Sequence, residues 1–505
     1  IIENYIKLKE WLGNKGYEFY SETDTEVIPN LVDYYYEGDL FEAVTKATAK
    51  MEGSYAIGVI CKNEPDKIVA VRKDSPLIVG LGEDEYFIAS DIPAVLNHTR
   101  EVYLLEDKEF VIITKDGVEI KTEDGDKIDK EIYHVTWDVD AAEKGGYEDF
   151  MLKEVHEQPK AIKDTLTSRV LKNTPVKLDD INMSKEELES FDRVFIVACG
   201  TAYHAGLVGK TIIEKLAKIP VEVDIASEFR YRDPLVDKNT LCIFISQSGE
   251  TADTIAALKL SKEKGAKTIA VSNVIGSSIT READYSIYTH AGPEIAVAST
   301  KAYTSQVILL NILALYFAEV LENVDNSVIE SFKKDILELP AKIEQTLKLS
   351  ANIKEFAKKV YQEKDIFFLG RGIDETVAKE GSLKLKEISY IHSESYASGE
   401  LKHGPIALIE NGITVISILT DPNLVEKSIS NIQEVITRGA KTLVITNQDI
   451  DKKMFDEVIC IPKTNTFISP ILSVVPLQLF AYYIAKEKGL DVDKPRNLAK
   501  SVTVE

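Results

Sequence analysis

Cysteine and histidine are scarce in this sequence of 505 residues, and their spacing excludes several kinds of site. The four cysteines are too few and too far apart for a disulfide framework or a zinc site, which favours a reducing compartment, the cytoplasm. The seven histidines are dispersed, and neither an HExxH nor a CxxC pattern occurs. We therefore expect no metal ion and no organic cofactor.

Basic residues are outnumbered as well, with 60 Lys and Arg against 83 Asp and Glu, which gives a formal net charge of −23. This charge argues against nucleic acid or an anionic membrane surface as the main partner. It does not exclude a small anionic metabolite, because a local pocket can bind phosphate whatever the net charge of the chain.

Long apolar runs are missing too. The N-terminus has neither the basic region nor the apolar run of a signal peptide. The longest apolar stretch, VILLNILALYFAEVL from Val307, contains Asn311 and is too short to span a membrane. It predicts a buried helix, and no membrane partner is expected.

The length predicts about three domains, and the pattern of secondary structure changes along the chain. Residues 1–140 have an α+β pattern, with a helix around Phe41–Lys50 and strands such as SYAIGVICK, KIVAVRK, YFIAS and EFVIITK. A charged stretch interrupted by Gly145-Gly146 predicts a linker at 141–150. Beyond it, strand–helix alternation predicts parallel sheets covered by helices, in domains at 151–345 and 346–505.

This second half of the chain repeats itself. RVFIVACGTAYHAG from Arg193 parallels DIFFLGRGIDETVA from Asp365, and LCIFISQSGE parallels TVISILTDPN. Aligning the turn glycines Gly200 and Gly370 gives an offset of 170 residues, and aligning the asparagines that end the two units gives 174. The repeat predicts two tandem doubly wound domains.

The two copies differ in the loop after their second strand. The first has SQSGET at that place and the second has LTDPN. Backbone N–H groups and the helix dipole there favour an anion, and Ser246, Gln247, Ser248 and Thr251 add uncharged donors. Ordinary helix capping would need only one such residue, so the sequence favours a site for a phosphate monoester.

The companion loop, CGTAYHAG, follows the first strand of the first copy. Gly200 allows a close approach of the backbone to a ligand, and Thr201 could reach a ligand oxygen. Cys199 has two interpretations, because a buried structural thiol is the commoner role for a cysteine at a strand end. All three residues are candidates for substrate binding.

Several long motifs then point to one family. CGTAYHAG, ASEFRYRDP, SQSGETADT and EIAVASTKAYTSQ resemble the first sugar-isomerase (SIS) domain of the glucosamine-6-phosphate synthase family, and EGSLKLKEISYIHSESYASGELKHGP resembles its second. DKPRNLAKSVTVE resembles the family's C-terminal signature. The resemblance implies an α/β chain with two tandem doubly wound parallel-sheet SIS domains, preceded by a partial α+β N-terminal-nucleophile glutaminase domain.

The glutaminase resemblance rests on SETDTE, EGSYAIGV and SPLIVGLGEDEYFIASD. In the family the nucleophile is an N-terminal cysteine, and a segment like IIEN follows an Asn-Gly pair of the oxyanion hole. Because this sequence begins at Ile1, the resemblance implies that the nucleophile segment is missing and that this chain does not hydrolyse glutamine. Of the glutamine site, Asp24 carries over as the partner of the substrate amino group.

The resemblance also implies roles in a sugar-phosphate reaction. The residues implied around the phosphate are Thr201, Ser246, Gln247, Ser248 and Thr251, and Val297 and Ser299 are implied to line the sugar. Glu387 is implied as the base that moves a proton between C1 and C2, and Lys384 lies three residues earlier on the same helix face. Spacing alone would favour a surface ion pair for these two residues.

Two further catalytic residues are implied. His403 in ELKHGP is implied as the ring-opening acid/base, reaching the active site of a neighbouring subunit and so implying a homodimer. The alternative for His403 is a loop histidine bonded to its own backbone. Lys500 is implied to form a Schiff base with the open-chain ketose, and Arg496 and Asn497 are expected to hold the C-terminal tail that carries it.

The function implied is the conversion of fructose-6-phosphate and glutamine-derived ammonia to glucosamine-6-phosphate, the first step of amino-sugar nucleotide biosynthesis. One alternative is a sugar-phosphate-binding regulator that has lost catalysis, although a pure binder would not need Glu387, His403 and Lys500 together. Another is an isomerase or deglycase without amination, against which the glutaminase-like segment argues.

Overall fold

The computed structural model describes residues 1–90, 92, 94–135, 144–178 and 181–503. Backbone contacts divide the chain into two compact units. The first comprises Ile1–Ala142, Glu250–Ala252 and Ser501–Glu505, and the second comprises Glu143–Gly249 and Asp253–Lys500. The boundary predicted at residue 140 lies outside the described residues, and those predicted at residues 150 and 345 stay predictions.

The first unit is built from short helices and antiparallel strands. Its described helices and strands are α1 (Tyr5–Gly13), α2 (Val27–Tyr35), α3 (Leu40–Thr48), β1 (Tyr55–Cys61), β2 (Glu64–Lys73), β3 (Ile78–Leu81), β4 (Tyr86–Ala89), β5 (Glu101–Leu104), β6 (Phe110–Thr114), β7 (Gly117–Lys121), β8 (Lys127–Ile128) and β9 (Tyr133–His134). They form two sheets with the orders β1-β2-β6-β7-β8 and β4-β3-β5-β9.

The α+β pattern predicted for this unit is confirmed. The predicted helix is α3, which begins after Asp39 because the Asp39 carboxylate accepts hydrogen bonds from the backbone N–H groups of Phe41 and Glu42. The four predicted strands correspond to β1, β2, β4 and β6. Helices α1 to α3 bury one face in a shared apolar cluster with β1 and β2.

The second unit alternates strands and helices. Its described helices and strands are α4 (Phe150–Leu166), α5 (Lys185–Glu189), β10 (Arg193–Ala198), α6 (Gly200–Leu216), β11 (Val221–Ile225), α7 (Ala226–Phe229), β12 (Thr240–Ser246), α8 (Ala252–Glu263), β13 (Lys267–Ser272), α9 (Ser278–Glu282), β14 (Tyr285–Tyr288), α10 (Lys301–Leu321), α11 (Asn326–Leu337), α12 (Leu339–Leu347), α13 (Ser350–Val360), β15 (Asp365–Gly370), α14 (Ile373–Ser389), β16 (His392–Ala397), β17 (Thr414–Leu419), α15 (Val425–Ile436), β18 (Lys441–Thr446), β19 (Glu457–Cys460) and α16 (Ser469–Glu487).

The two predicted copies form two parallel sheets with the same strand order. One sheet has the order β11-β10-β12-β13-β14 and the other has the order β16-β15-β17-β18-β19. The central strands are apolar and almost wholly buried because helices cover both faces of each sheet. The doubly wound repeat is therefore confirmed.

The predicted pairing of the turn glycines is wrong by two residues. Strand β15 lies 172 residues after β10, and each strand is followed by a positive-φ glycine that starts a helix, Gly200 in the first copy and Gly372 in the second. Gly370 instead ends strand β15. Later in the unit the offset is 174, since β12 begins at Thr240 and β17 at Thr414.

Helix α10 is longer than its apolar run suggested. It begins at Lys301, six residues before Val307, and the polar side chains of that first stretch are buried as well. By length and apolar composition α10 would suffice to cross a membrane, but 89% of its most apolar window is buried inside the protein. It packs on α6, where a Cβ at Gly209 would lie 2.8 Å from Leu310.

Candidate functional site

The predicted phosphate loop follows β12 in the second unit. Its first residue, Ser246, is buried, and the Ser246 hydroxyl accepts a hydrogen bond of 3.0 Å from the backbone N–H of Gly249. Gly249 has φ of +71°, and a Cβ there would overlap the Ser277 side chain. The loop therefore folds back tightly over β12 and leaves Gln247 and Ser248 half-buried at its outer side.

Thr251 ends the same loop in sequence. It belongs to the segment Glu250–Ala252, which groups with the first unit by its contacts. Its place in the phosphate site stays a prediction.

The second copy carries a carboxylate where the first copy has a methyl group. At the structural offset of 172, Ala202 on α6 corresponds to Asp374 on α14, and at the offset of 174, Ser246 corresponds to Thr420. The buried Asp374 carboxylate accepts hydrogen bonds from the Thr420 backbone N–H, at 2.8 Å, and from the Thr420 hydroxyl. Burial raises the pKa of Asp374 to about 6. In the second copy, the donors of Thr420 that could bind an anion are thus already bonded to the Asp374 carboxylate.

Cys199 lies just before α6. Its side chain packs against an apolar cluster that includes Phe195 and Val197, and burial raises the pKa of its thiol. These surroundings favour the structural interpretation of Cys199 over a contact with substrate. Gly200, by contrast, is exposed at the start of α6, as a close approach of ligand to backbone requires.

A row of three charged side chains runs along α14. Lys384 is fully buried, with its Nζ atom 2.5 Å from Glu387 Oε2 and 3.6 Å from Glu380 Oε1. Burial lowers the pKa of Lys384, but the carboxylates of Glu387 and Glu380 outweigh this effect and raise the pKa above its usual value. The interpretation of Lys384 and Glu387 as a surface ion pair is therefore wrong for Lys384.

Glu380 joins this row to the first copy. Its carboxylate accepts a hydrogen bond of 3.1 Å from the Thr201 hydroxyl and lies 2.7 Å from Nδ1 of His204, both on α6. Sequence analysis missed Glu380 and His204, although both lie inside motifs that it singled out. The available signal was the i, i+4 spacing of Glu380 and Lys384 on one helix face.

Lys500 is held by groups that flank the start of α10. Its Nζ atom lies 2.5 Å from Glu294 Oε2, 2.8 Å from the backbone oxygen of Ala296 and 3.5 Å from Ser299 Oγ. The tail before it is fixed by Arg496, whose backbone N–H donates to the Tyr390 hydroxyl at 2.8 Å and whose guanidinium covers the Tyr390 ring. The prediction that Arg496 holds the tail is confirmed by these contacts.

The segment with Val297 and Ser299 is tied down from two sides. The backbone N–H of Val297 donates a hydrogen bond of 3.0 Å to the backbone oxygen of Asp493. Behind the segment, Glu154 of α4 accepts hydrogen bonds from the N–H groups of Ile295, at 2.5 Å, and Ala296, at 3.2 Å. Burial, together with the nearby Glu294, raises the pKa of Glu154 to about 8.

Two further predicted residues are His403 and Asp24. His403 is exposed in a 3₁₀ turn, Leu401–His403, that follows β16. Asp24 lies in the first unit, where its carboxylate accepts a hydrogen bond of 2.6 Å from the Ile2 backbone N–H. Across the described part of the chain, no group of three or more His, Cys, Asp and Glu side chains is placed to hold a metal ion.

The chain matches two domain families in the order that the motifs implied. The SIS domain family matches residues 187–316 and 359–487, and the glutamine amidotransferase domain family matches residues 1–97. A structure of the C-terminal domain of glucosamine-fructose-6-phosphate aminotransferase from Francisella tularensis is similar, with a TM-score of 0.67 and 40% identity. That match covers 70% of this chain and 100% of the other.

Relatives from distant organisms match over the whole of this chain. Glutamine–fructose-6-phosphate aminotransferase (isomerizing) of Clostridium perfringens is 67% identical over 100% of this chain and 83% of its own length. The protein of the same name from Thermococcus kodakarensis is 46% identical with the same two coverages. The chain belongs to the glutamine–fructose-6-phosphate aminotransferase (isomerizing) family.

Proposed function

We propose that this chain converts fructose-6-phosphate and glutamine-derived ammonia to glucosamine-6-phosphate, and that the cluster in its second unit performs the sugar chemistry. The observation that carries the assignment is the buried ion pair of Lys384 and Glu387, in the same unit as a Lys500 amine held beside Ser299. A binding protein without catalysis has no use for a buried Lys384 together with a half-buried Lys500, since burying a charge costs free energy.

The phosphate is anchored first. Ser246, Gln247, Ser248 and Thr251 supply hydroxyl, amide and backbone donors after β12, and the absence of a side-chain anion at Ala202 leaves room for the ligand's own charge. The hydroxyl of Thr201 donates to Glu380, so the contact of Thr201 with the phosphate is assigned to its backbone N–H in the first turn of α6.

Ring opening and carbonyl activation follow. His403 of the partner subunit protonates the ring oxygen of the bound ketose, which requires a homodimer and fits the exposure of the 3₁₀ turn that carries it. Lys500 then attacks C2 of the open-chain sugar and forms a Schiff base, next to Val297 and Ser299 along the sugar chain.

Glu387 moves the proton between C1 and C2. Its side chain is 21% exposed, so one face can meet substrate while Lys384 holds the carboxylate on the other side. The electron pair of the broken C1–H bond moves towards the imine nitrogen on C2, while the Lys384 ammonium holds the Glu387 carboxylate in place to take the proton. Glu380 keeps Lys384 in place through the second ion pair.

The glutamine-handling part, an incomplete glutaminase, is assigned to the first unit. Asp24 is the partner for the amino group of glutamine, and the family match over residues 1–97 supports a glutamine amidotransferase role for that segment. We place the protein in the cytoplasm, since its four cysteines are unpaired. Neither a metal nor an organic cofactor enters the proposed steps.

The test is the isomerisation of fructose-6-phosphate by the Glu387→Gln variant. Loss of turnover by about a hundredfold or more is expected, with binding of fructose-6-phosphate retained, because the amide keeps the shape of the carboxylate but cannot accept the proton. Turnover at the unaltered rate would remove Glu387 from the mechanism. Lys386→Gln, on the same helix but exposed, is the matched control.

A further inference from the structure

The Lys500 amine has to lose a proton before it can act, and this step rests on the proposed Schiff base. An ammonium has no lone pair, so Nζ cannot bond to the ketose carbon until a base removes a proton. The base has to lie within hydrogen-bond distance of Nζ, as the geometry of general base catalysis demands.

Three groups surround Nζ of Lys500. They are the Glu294 carboxylate at 2.5 Å, the Ala296 backbone oxygen at 2.8 Å and the Ser299 hydroxyl at 3.5 Å. A backbone carbonyl and a serine hydroxyl are too weakly basic to take a proton from an ammonium near neutral pH. Glu294 alone among these three can accept it.

We propose that Glu294 is the base that takes a proton from Lys500 as the amine attacks the ketose, and the acid that returns it when water leaves. Nζ gives one proton to Glu294 Oε2 and forms the N–C2 bond as the C2=O electrons move onto oxygen. A second Nζ proton passes to that oxygen. Glu294 then protonates the resulting hydroxyl, which departs as water while the C=N bond forms, so the carboxylate is regenerated.

The fold aims Glu294 at Lys500. The other carboxylate oxygen, Oε1, accepts hydrogen bonds from the backbone N–H groups of Thr300, at 2.8 Å, and Ala302, at 3.0 Å, at the start of α10. A 21-residue helix that begins there also stabilises a negative charge. Glu294 is fully buried, so Oε2 is left facing Lys500 with little freedom to turn away.

The charges around the pair are arranged so that Glu294 is the carboxylate that pairs with Lys500. Burial tends to raise the pKa of Glu294, and the Lys500 ammonium outweighs this effect and lowers it. Glu154 on α4 is held neutral near pH 7 by burial and by Glu294. The cations Lys301 on α10 and Lys384 on α14 also face this region.

Two further charged residues of α4, Glu157 and Lys153, already have partners. Glu157 accepts the Lys301 ammonium at 2.6 Å and lies 3.5 Å from Lys153. Glu294 and Lys500 are therefore left to pair with each other before substrate enters. Filling the site with sugar removes water from both charges, which favours the neutral pair that results from proton transfer.

The experiment follows adduct formation between Lys500 and fructose-6-phosphate in single-turnover samples quenched with borohydride, from pH 6 to pH 9. Glu294→Gln keeps the oxygen that Thr300 and Ala302 bind but cannot accept a proton. We expect the rate of adduct formation to fall about a hundredfold or more across the whole range. Glu157→Gln, a neighbouring carboxylate that does not contact Lys500, should keep the rate of the unaltered protein.

Opposite outcomes are distinguishable. If Glu294 served only as a counter-ion, its carboxylate would not be needed for the proton transfer, and Glu294→Gln would form the adduct as fast or faster, which overturns the proposal. Should Glu294→Gln no longer bind fructose-6-phosphate, Glu294→Asp takes its place, since it withdraws the carboxylate without removing it. An intermediate rate supports the proposal, and a full rate overturns it.

Failure of the Schiff base itself has a separate signature. If the unaltered protein forms no adduct, or if Lys500→Ala forms one, the assignment of Lys500 is wrong and the role of Glu294 falls with it. If Lys500 alone is labelled and Glu294→Gln is labelled at the same rate, Lys500 stands and only the inference about Glu294 is refuted.

Discussion

The carboxylate of Asp374 is bound twice by Thr420, through the backbone N–H at 2.8 Å and through the hydroxyl. The corresponding residues of the first copy are Ala202 and Ser246, which have no such carboxylate between them. In the second copy the Asp374 side chain thus bonds the strand end that corresponds to the proposed phosphate loop of the first copy. This difference is the physical reason why we place the proposed phosphate site in the first copy and not in the second.

Placing a carboxylate in the first copy should close its site. We expect Ala202→Asp to weaken binding of fructose-6-phosphate about a hundredfold or more, because a negative charge facing Ser246 repels the phosphate and competes for its donors. Calorimetric titration measures the affinity. Ala202→Asn has the same shape without the charge and should lose much less, and equal losses in the two variants would contradict the electrostatic explanation.

The phosphate loop should be sensitive to a methyl group at Gly249. A Cβ there would overlap Ser277 and φ is +71°, so Gly249→Ala should strain the loop by about 1–3 kcal/mol and weaken binding of fructose-6-phosphate. Gly265→Ala is the matched control, because φ is +90° there but the nearest atom would lie 3.8 Å away. If both variants lose the same affinity, the overlap with Ser277 is not the cause.

Glu154 gives a pH dependence of stability with a definite sign. Its pKa rises from 4.5 in the unfolded chain to about 8 in the folded protein, mainly through burial. The contribution of Glu154 protonation to the free energy of unfolding is therefore complete below pH 4.5. It is lost as pH rises towards 8, at up to about 1.4 kcal/mol per pH unit. Glu154→Gln does not titrate, so its unfolding midpoint should improve relative to that of the unaltered protein from pH 5 to pH 8.

The same thermal unfolding series includes a control for this prediction. Glu157→Gln removes a carboxylate from the same helix, α4, but one that is 27% exposed and ion-paired. Its midpoint relative to that of the unaltered protein should change much less with pH. A difference between Glu154→Gln and the unaltered protein that stays constant from pH 5 to pH 8 would show that Glu154 is ionised throughout.

The sequence predicted the architecture more completely than it predicted the contacts within the proposed site. Strand–helix alternation and the repeat identified both parallel sheets, because apolar strands buried on two faces leave a strong local pattern. The offset at the turn glycines failed because Gly370 and Gly372 both follow the apolar run, and only backbone geometry shows that Gly370 still belongs to β15. The start of α10 was missed because its first polar residues are buried, which no hydropathy pattern indicates.

Most of the contacts between residues of the proposed site could not be predicted, because the residues that meet are distant in sequence. Lys384 and Glu387 are three residues apart, so spacing alone brought them together. Glu294 meets Lys500 across 206 residues, and Glu380 meets Thr201 across 179. A buried carboxylate has no pattern of its own in a sequence, and only the folded chain shows which cation it pairs with.

Sharing of the active site between subunits is the most discriminating prediction. Lys500 and Glu294 belong to one chain, whereas His403 is proposed to act in the partner subunit. A heterodimer of one His403→Ala chain and one Lys500→Ala chain should then keep one intact site, with Lys500 from the first chain and His403 of the partner subunit. About half of the isomerase activity of the unaltered dimer is expected.

Differently tagged chains, co-expressed and purified through both tags, provide this heterodimer. The two parent homodimers should be inactive, since each lacks one catalytic group at both sites. If His403 acted in its own chain, both sites of the heterodimer would lack one group and no activity would return. Recovered activity therefore requires His403 to cross the interface, and its absence in a stable heterodimer would place His403 in the site of its own subunit.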